Sequence, residues 1–434
     1  MTPRGRRGTA IAVAIILAVA VVIAIVGVGH AGMGGSGTVT TTSPPTIPTT
    51  TNPYAAEEIR TVLAAKRAVN VTLPNGSGAA APVLGRSPYR SPLGRHEVVG
   101  FVPYYELGSI DKMELADFTD VVYYALDLKP NGLLDEAGSS TGWSDLRDGG
   151  AGNLVASGHT AHDRVLLSVF SQSPSVLAAL AAHPGGGRRL ADELAPLLSQ
   201  FGFDGIDLDL EGQAGADRAG FVSYMAAFSS RLRTLDPSWT IMLNTFPQSA
   251  EDTSGFFDVR ALARYVDVMF VMAYDMTDNE IPSANAPLTG ASLTVADALA
   301  SYAAAGLAGK TILGTPFYGY DFPSQGSSVG AQASGQPYAV TYDAILASIV
   351  HDGHKPLWDS VTDTPYTVFR RSGSWHQTWF DDPASIALKT ALAAQFHIAG
   401  VGAWELGMVQ QAPQMITVLT GGSPVLKQPL ATQP

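Results

Sequence analysis

Beyond residue 97, eight short runs rich in β-branched and other apolar residues recur along the chain. They are Val98–Tyr104, Val121–Leu126, Arg164–Phe170, Phe203–Leu210, Thr240–Phe246, Val266–Tyr274, Thr311–Phe317 and Ile398–Trp404. Between many of them lie Ala/Leu-rich stretches of helical character, such as Arg188–Gln200, Gly220–Leu235, Val295–Ala305 and Ala384–Phe396. Strands that alternate with helices pair in parallel. Eight such units predict an α/β fold, a closed (β/α)8 TIM barrel over residues 98–420. The longest gap, from Tyr318 to about Phe380, is rich in Gly, Ser, Thr, Tyr and Trp and holds strand-like pieces such as Tyr366–Arg370. It predicts a small α+β insertion after the seventh strand, at about 318–380.

The opposite pattern stands at the N-terminus. Arg4, Arg6 and Arg7 precede nineteen uncharged residues, Ala10 to Val28. At 1.5 Å rise per residue a helix of that length nearly matches a hydrocarbon core of ~30 Å. Basic residues before the run hold that end in the cytoplasm and put the rest of the chain outside. Residues 1–31 therefore read as a membrane anchor, or as a signal peptide cut near Gly29-His30-Ala31. The length favours the anchor, since a cleaved signal core has typically ~7–15 residues. The expected location is the cell membrane, single-pass with the barrel domain outside, or secretion after cleavage. Residues 32–53 form a Gly/Thr/Pro-rich linker, too poor in large apolar side chains to fold. Residues 54–97 are a pre-domain segment, and 421–434 a flexible tail.

Composition narrows the class. Of 434 residues, 46% are hydrophobic and 15% charged, enough apolar material for a large core. The net charge of −12 disfavours general binding to phosphate backbones, so no nucleic-acid partner is expected. The absence of cysteine excludes a disulfide scaffold, thiolate metal sites and a cysteine nucleophile.

In such barrels the chemistry sits at the C-terminal strand ends. The fourth strand ends in Asp-Gly-Ile-Asp-Leu-Asp-Leu-Glu, Asp204 to Glu211. Strand side chains alternate faces, so Asp207, Asp209 and Glu211 point one way and Leu208 and Leu210 the other. Crowded buried carboxylates cannot all ionise, and at least one should carry a proton near neutral pH, which is how a general acid is made. Asp204 has the other parity and is expected to be structural. A metal site is disfavoured, because ligands at i, i+2 and i+4 spread over roughly 13 Å of one strand. The nine histidines show no ligand spacing either. Other strand ends carry Met272-Ala273-Tyr274-Asp275, Ala403-Trp404-Glu405 and Pro103-Tyr104-Tyr105. An aromatic face, phenolic hydroxyls and acids around a carboxylate cluster suit a sugar.

Together these motifs resemble glycoside hydrolase family 18, the chitinase-like family. The matching runs are Asp204–Glu211, Met272–Asp275, Gly314–Gly319, Gly400–Leu406 and Asp381–Ile386 with Lys389, over about Val98 to Leu419. The resemblance implies a glycosidase acting on β-linked N-acetylglucosamine (GlcNAc) glycans, chitin oligomers or cell-wall glycan, with retention and no cofactor. Glu211 corresponds to the general acid, and the substrate's own acetamido carbonyl is the nucleophile. Asp209 would hold the acetamido N–H, Asp207 would share its proton, and Tyr274 would bond the acetamido oxygen. Asp275, Trp404, Met272, Tyr318 and Ser168 would bind substrate, Trp404 as the floor of the sugar subsite. Two positions depart from the family. The usual Ser-x-Gly-Gly reads Ser168-Val169-Phe170-Ser171, and Phe101 stands where a Tyr hydroxyl often bonds the inner aspartates. A sugar-binding protein without turnover on the same barrel is the alternative. Such relatives generally lack the last acid of the motif, and Glu211 is present.

Overall fold

A computed structural model describes residues 97–136, 142–211 and 217–420. The anchor or signal segment (1–31), the linker (32–53), nearly all of the pre-domain segment (54–97) and the tail (421–434) lie outside the described residues. Among the described residues, no helix is long and apolar enough to cross a membrane.

Seven strands come first: β1 (Glu97–Pro103), β2 (Asp120–Asp127), β3 (Arg164–Ser171), β4 (Gly205–Leu210), β5 (Thr240–Thr245), β6 (Val268–Met272) and β7 (Thr311–Pro316). Five more follow directly: β8 (Tyr318–Ser324), β9 (Tyr338–Thr341), β10 (Pro356–Asp359), β11 (Thr364–Arg371) and β12 (Ser374–Trp379). The last is β13 (Gly400–Trp404). Strands β1 to β7 and β13 pair in parallel around a closed ring, with β13 lying between β7 and β1. The expected eight-stranded parallel barrel is present.

Period-two alternation divides the barrel into two apolar regions. Ile206, Leu208 and Leu210 of β4 face the helix layer, where they join the large outer core. The opposite parity points inward. Val99, Phe101, Val122, Leu166, Met242 and Phe270 are among the residues that fill the lumen as a second cluster. Each such side chain contributes roughly 1.5–3 kcal/mol relative to exposure. Phe270 needs unusual room. A Cβ on Gly314 or on Gly402 would lie 2.5 or 2.6 Å from its ring, so glycine at both positions lets the phenyl group close the lumen.

Helix Gly186–Phe201 buries Leu190, Leu194 and Leu198 on one face and ends at Gly202 in the left-handed conformation, φ 78°. Helix Arg218–Leu235 is capped by Asp217, whose carboxylate accepts the Gly220 N–H at 2.7 Å. Helix Pro383–Gln395 starts with a reciprocal cap between Asp382 and Ser385. Fully buried Lys389 ion-pairs with Asp381 beneath that cap.

Between β7 and β13, strands β8 to β12 form an antiparallel sheet in the order β10-β11-β12-β8-β9. Helix Tyr342–His351 crosses between β9 and β10. Tyr366 and Trp379 stack at 4.5 Å on neighbouring strands β11 and β12. Strand β8 starts two residues after β7 ends, so the sheet rises directly from the C-terminal mouth of the barrel.

Candidate active site

The register of β3 on β4 builds the centre. Ser168 lies beside Asp207 and Phe170 beside Asp209, and the backbone N–H of Glu211 donates to the Ser171 carbonyl at 2.9 Å. Asp207 is 0% exposed and Asp209 2%, with Glu211 half-buried just past the strand end. Ser168 donates its hydroxyl to Asp207 Oδ2 at 2.7 Å. The amide of Asn244, inward on β5, also reaches Asp207 Oδ2, at 3.5 Å. Oδ1 of Asp207 and of Asp209 are buried without a hydrogen-bond partner. That fits a chain with Phe101 where a hydroxyl could have stood.

Burial is the largest influence on all three acids. It pushes Asp207 up against the opposing Ser168 hydrogen bond. Asp209 is raised well above the carboxylate range by burial and then by the charge of Asp207, with the Asn244 amide opposing. Glu211 is raised well above its range by burial and the charges of Asp209 and Asp275, while a Gln172 hydrogen bond pulls it down. The three carboxyls thus hold protons that solvated acids would lose.

Asp275 comes in from the end of β6. Its φ of 57° is left-handed, a region aspartate tolerates better than most side chains. The Asn285 side-chain oxygen holds that turn by accepting the Asp275 N–H at 2.8 Å. Tyr318 and Tyr320, on one face of β8, both donate to Asp275 Oδ1, at 2.6 and 2.7 Å. Asn285 also donates to the Tyr318 carbonyl at 3.2 Å, linking the β6 loop to the inserted sheet. Tyr274 is raised well above its range by burial and then by the charges of Asp209, Glu211, Asp275 and Asp207, and its ring meets Tyr318 edge-on at 6.1 Å. Trp404 forms an aromatic wall with Tyr124 (4.6 Å, edge-on) and Phe101 (5.5 Å, tilted), and Tyr124 in turn meets Phe170 at 5.3 Å.

Not every candidate lies at the open face. Ser168 is fully buried and engages Asp207. Met272 is buried within the lumen cluster. Asp204 accepts the Val165 N–H at 2.7 Å and bonds the His159 ring at 2.8 Å, tying β4 to β3 and its preceding helix. Tyr124, Asn244, Gln172, Tyr320 and Asn285 also contact residues of the site and belong to none of the motifs. Asn244 was readable as a polar side chain at an inward position of an apolar strand. Tyr124 was readable as the inward residue two beyond Val122. Among the described residues, no group of three or more His, Cys, Asp or Glu is arranged to hold a metal ion. The arrangement can donate a proton from Glu211, offset a developing cation with Asp209, and bind a ring against Trp404.

A family model described as Glycosyl hydrolases family 18 matches residues 98–408. A putative sporulation-specific glycosylase of Bacillus subtilis, YdhD, is 25% identical over 349 residues, covering 77% of this chain and 74% of the relative. Di-N-acetylchitobiase of Mus musculus is 24% identical over 234 residues, 46% of this chain and 60% of the chitobiase. Among solved structures, the fold is similar to a family 18 chitinase from Cycas revoluta in complex with (GlcNAc)3. The TM-score is 0.66 and the identity 19%, over 75% of this chain and 99% of that one.

Proposed function

The chain belongs to the glycosyl hydrolases of family 18 and is a glycosidase of the chitinase-like type, and from that premise we propose that it hydrolyses β-linked GlcNAc glycans with retention. One observation carries the reading. Asp207 and Asp209 lie two residues apart on β4 and Glu211 follows just past its end, with burial raising all three acids and neighbouring charge adding to it at Asp209 and Glu211. In the first step Glu211 gives its proton to the glycosidic oxygen as the bond from that oxygen to the anomeric carbon breaks. The 2-acetamido carbonyl oxygen of the same sugar attacks the anomeric carbon from the opposite face, and the ring closes to an oxazolinium ion. Asp209 holds the acetamido N–H and offsets the positive charge, Asp207 exchanges a proton with Asp209, and Tyr274 bonds the acetamido oxygen. In the second step Glu211 takes a proton from water. The resulting attack on the anomeric carbon reopens the ring with the original configuration.

Trp404 is the apolar floor for the sugar, and Asp275 steadies both sugar and acid. The substrate is a chitin oligomer or a cell-wall glycan. A relative named for di-N-acetylchitobiose supports this sugar class. The barrel acts outside the membrane, a reading that rests on Arg4, Arg6, Arg7 and the apolar run Ala10–Val28. The test incubates the chain with fluorogenic chitobiose and chitotriose glycosides beside Glu211→Gln. Wild type should release the fluorophore and the variant should fall by ~10²-fold or more. Wild type that binds GlcNAc oligomers and peptidoglycan fragments yet leaves them uncut from about pH 4 to 8, where a tuned carboxylic acid works, would overturn the reading in favour of a sugar-binding protein.

A further inference from the structure

Gln172 is the first residue past β3, on a corner braced from both sides. The Ser173 N–H donates to the Ser171 hydroxyl at 3.3 Å, and helix Pro174–Ala182 begins one residue later. From this corner the Gln172 amide donates to Glu211 Oε2 at 3.1 Å. The preceding residue, Ser171, accepts the Glu211 backbone N–H at 2.9 Å. Both the main chain and the side chain of the acid are therefore anchored to residues 171–172.

We propose that Gln172 is a positioning residue for Glu211: its N–H engages Oε2, so that Oε1 is the oxygen that delivers the proton to the glycosidic bond. An amide N–H can only donate, so it assigns the acceptor role to one carboxyl oxygen in either protonation state. It also favours the carboxylate over the acid, opposing burial and the charges of Asp209 on β4 and Asp275 after β6. Tyr124 and Tyr274 also face Glu211; their own titration is pushed well above the phenol range, so they stay neutral and add no charge there. The proposal rests on Glu211 being the general acid.

The test compares Gln172→Met, which keeps length and loses the donor, with wild type. kcat should fall about tenfold, the size of one lost hydrogen bond to a charged group, with KM within twofold. The basic limb of the kcat–pH profile should move to higher pH, because the carboxylate has lost a donor. A rise in KM at unchanged kcat would make Gln172 a sugar contact and overturn the proposal. So would an unmoved basic limb. A second measurement is independent of turnover. The chain is labelled with glutamate 13C at the carboxyl, and the Glu211 signal is identified by its loss in Glu211→Gln. Its titration midpoint should rise in Gln172→Met. An unchanged midpoint overturns the Gln172 contact even in an active enzyme. An inactive wild type whose midpoint still responds would instead fault only the hydrolase reading.

Discussion

Replacing Asp207 by asparagine should stabilise the fold, and increasingly so as pH rises. Asp207 is fully buried, and burial raises it from 3.8 to about 7 despite the Ser168 hydrogen bond. Between those two values the native state holds a proton that the unfolded chain has released. Stability from this group is therefore full below pH 3.8 and is lost as pH climbs through about 7. At 1.36 kcal/mol per pH unit the loss is roughly 4 kcal/mol, belonging to the Asp207–Asp209 pair as a whole. An asparagine at 207 never ionises, and its carbonyl keeps the Ser168 hydroxyl as a donor. The variant should gain about 1 kcal/mol over wild type near pH 4.5 and roughly 2–4 kcal/mol at pH 8. Urea unfolding followed by tryptophan fluorescence would show it. With m of ~3 kcal/mol/M, the midpoints should separate by roughly 1 M at pH 8 and far less at pH 4.5. A gain independent of pH would mean only better packing. A loss of stability at pH 8 would mean the buried carboxylate is compensated by a partner, and the reasoning would be wrong.

Two other perturbations probe the supports of the site. Tyr320→Phe removes one of two donors on Asp275 Oδ1, so Asp275 should titrate higher and repel Glu211 less. The basic limb of kcat/KM should move to lower pH, opposite to the Gln172→Met shift; superimposable profiles would show that the Tyr320 hydroxyl does not act through charge. Lys389→Met strands the buried Asp381 carboxylate and should cost about 3–5 kcal/mol in urea unfolding, whereas the double change with Asp381→Leu should recover most of that. Equal costs for the single and double changes would remove the ion pair from the account.

The barrel was legible because each strand is a short apolar run between helical stretches. Its central chemistry was legible because acids at 207, 209 and 211 repeat with the period of a strand. Parity alone set Leu208 and Leu210 on the face opposite the acids, and they pack in the outer core. Contacts that join elements distant in sequence were not legible. Nothing local to Tyr320 announces that its hydroxyl ends on Asp275, 45 residues away. Gln172 lies past the end of its strand, where period-two alternation no longer assigns a direction. Ser168 and Met272 sit at inward positions, but height along the strand, which residue type does not reveal, decides whether such a side chain meets solvent or the lumen.

The lumen packing has a consequence for how the barrel can vary. Phe270 sits in the space left by Gly314 and Gly402, with Phe101 beside it at 5.0 Å. A Cβ at 314 would also meet the Val271 carbonyl oxygen at 2.8 Å, and one at 402 the Val99 carbonyl oxygen at 2.7 Å. Shrinking Phe270 would therefore free neither position for a larger residue. Backbone as well as ring holds both glycines in place, and this seam of β6, β7, β13 and β1 can change only if the strands themselves move apart.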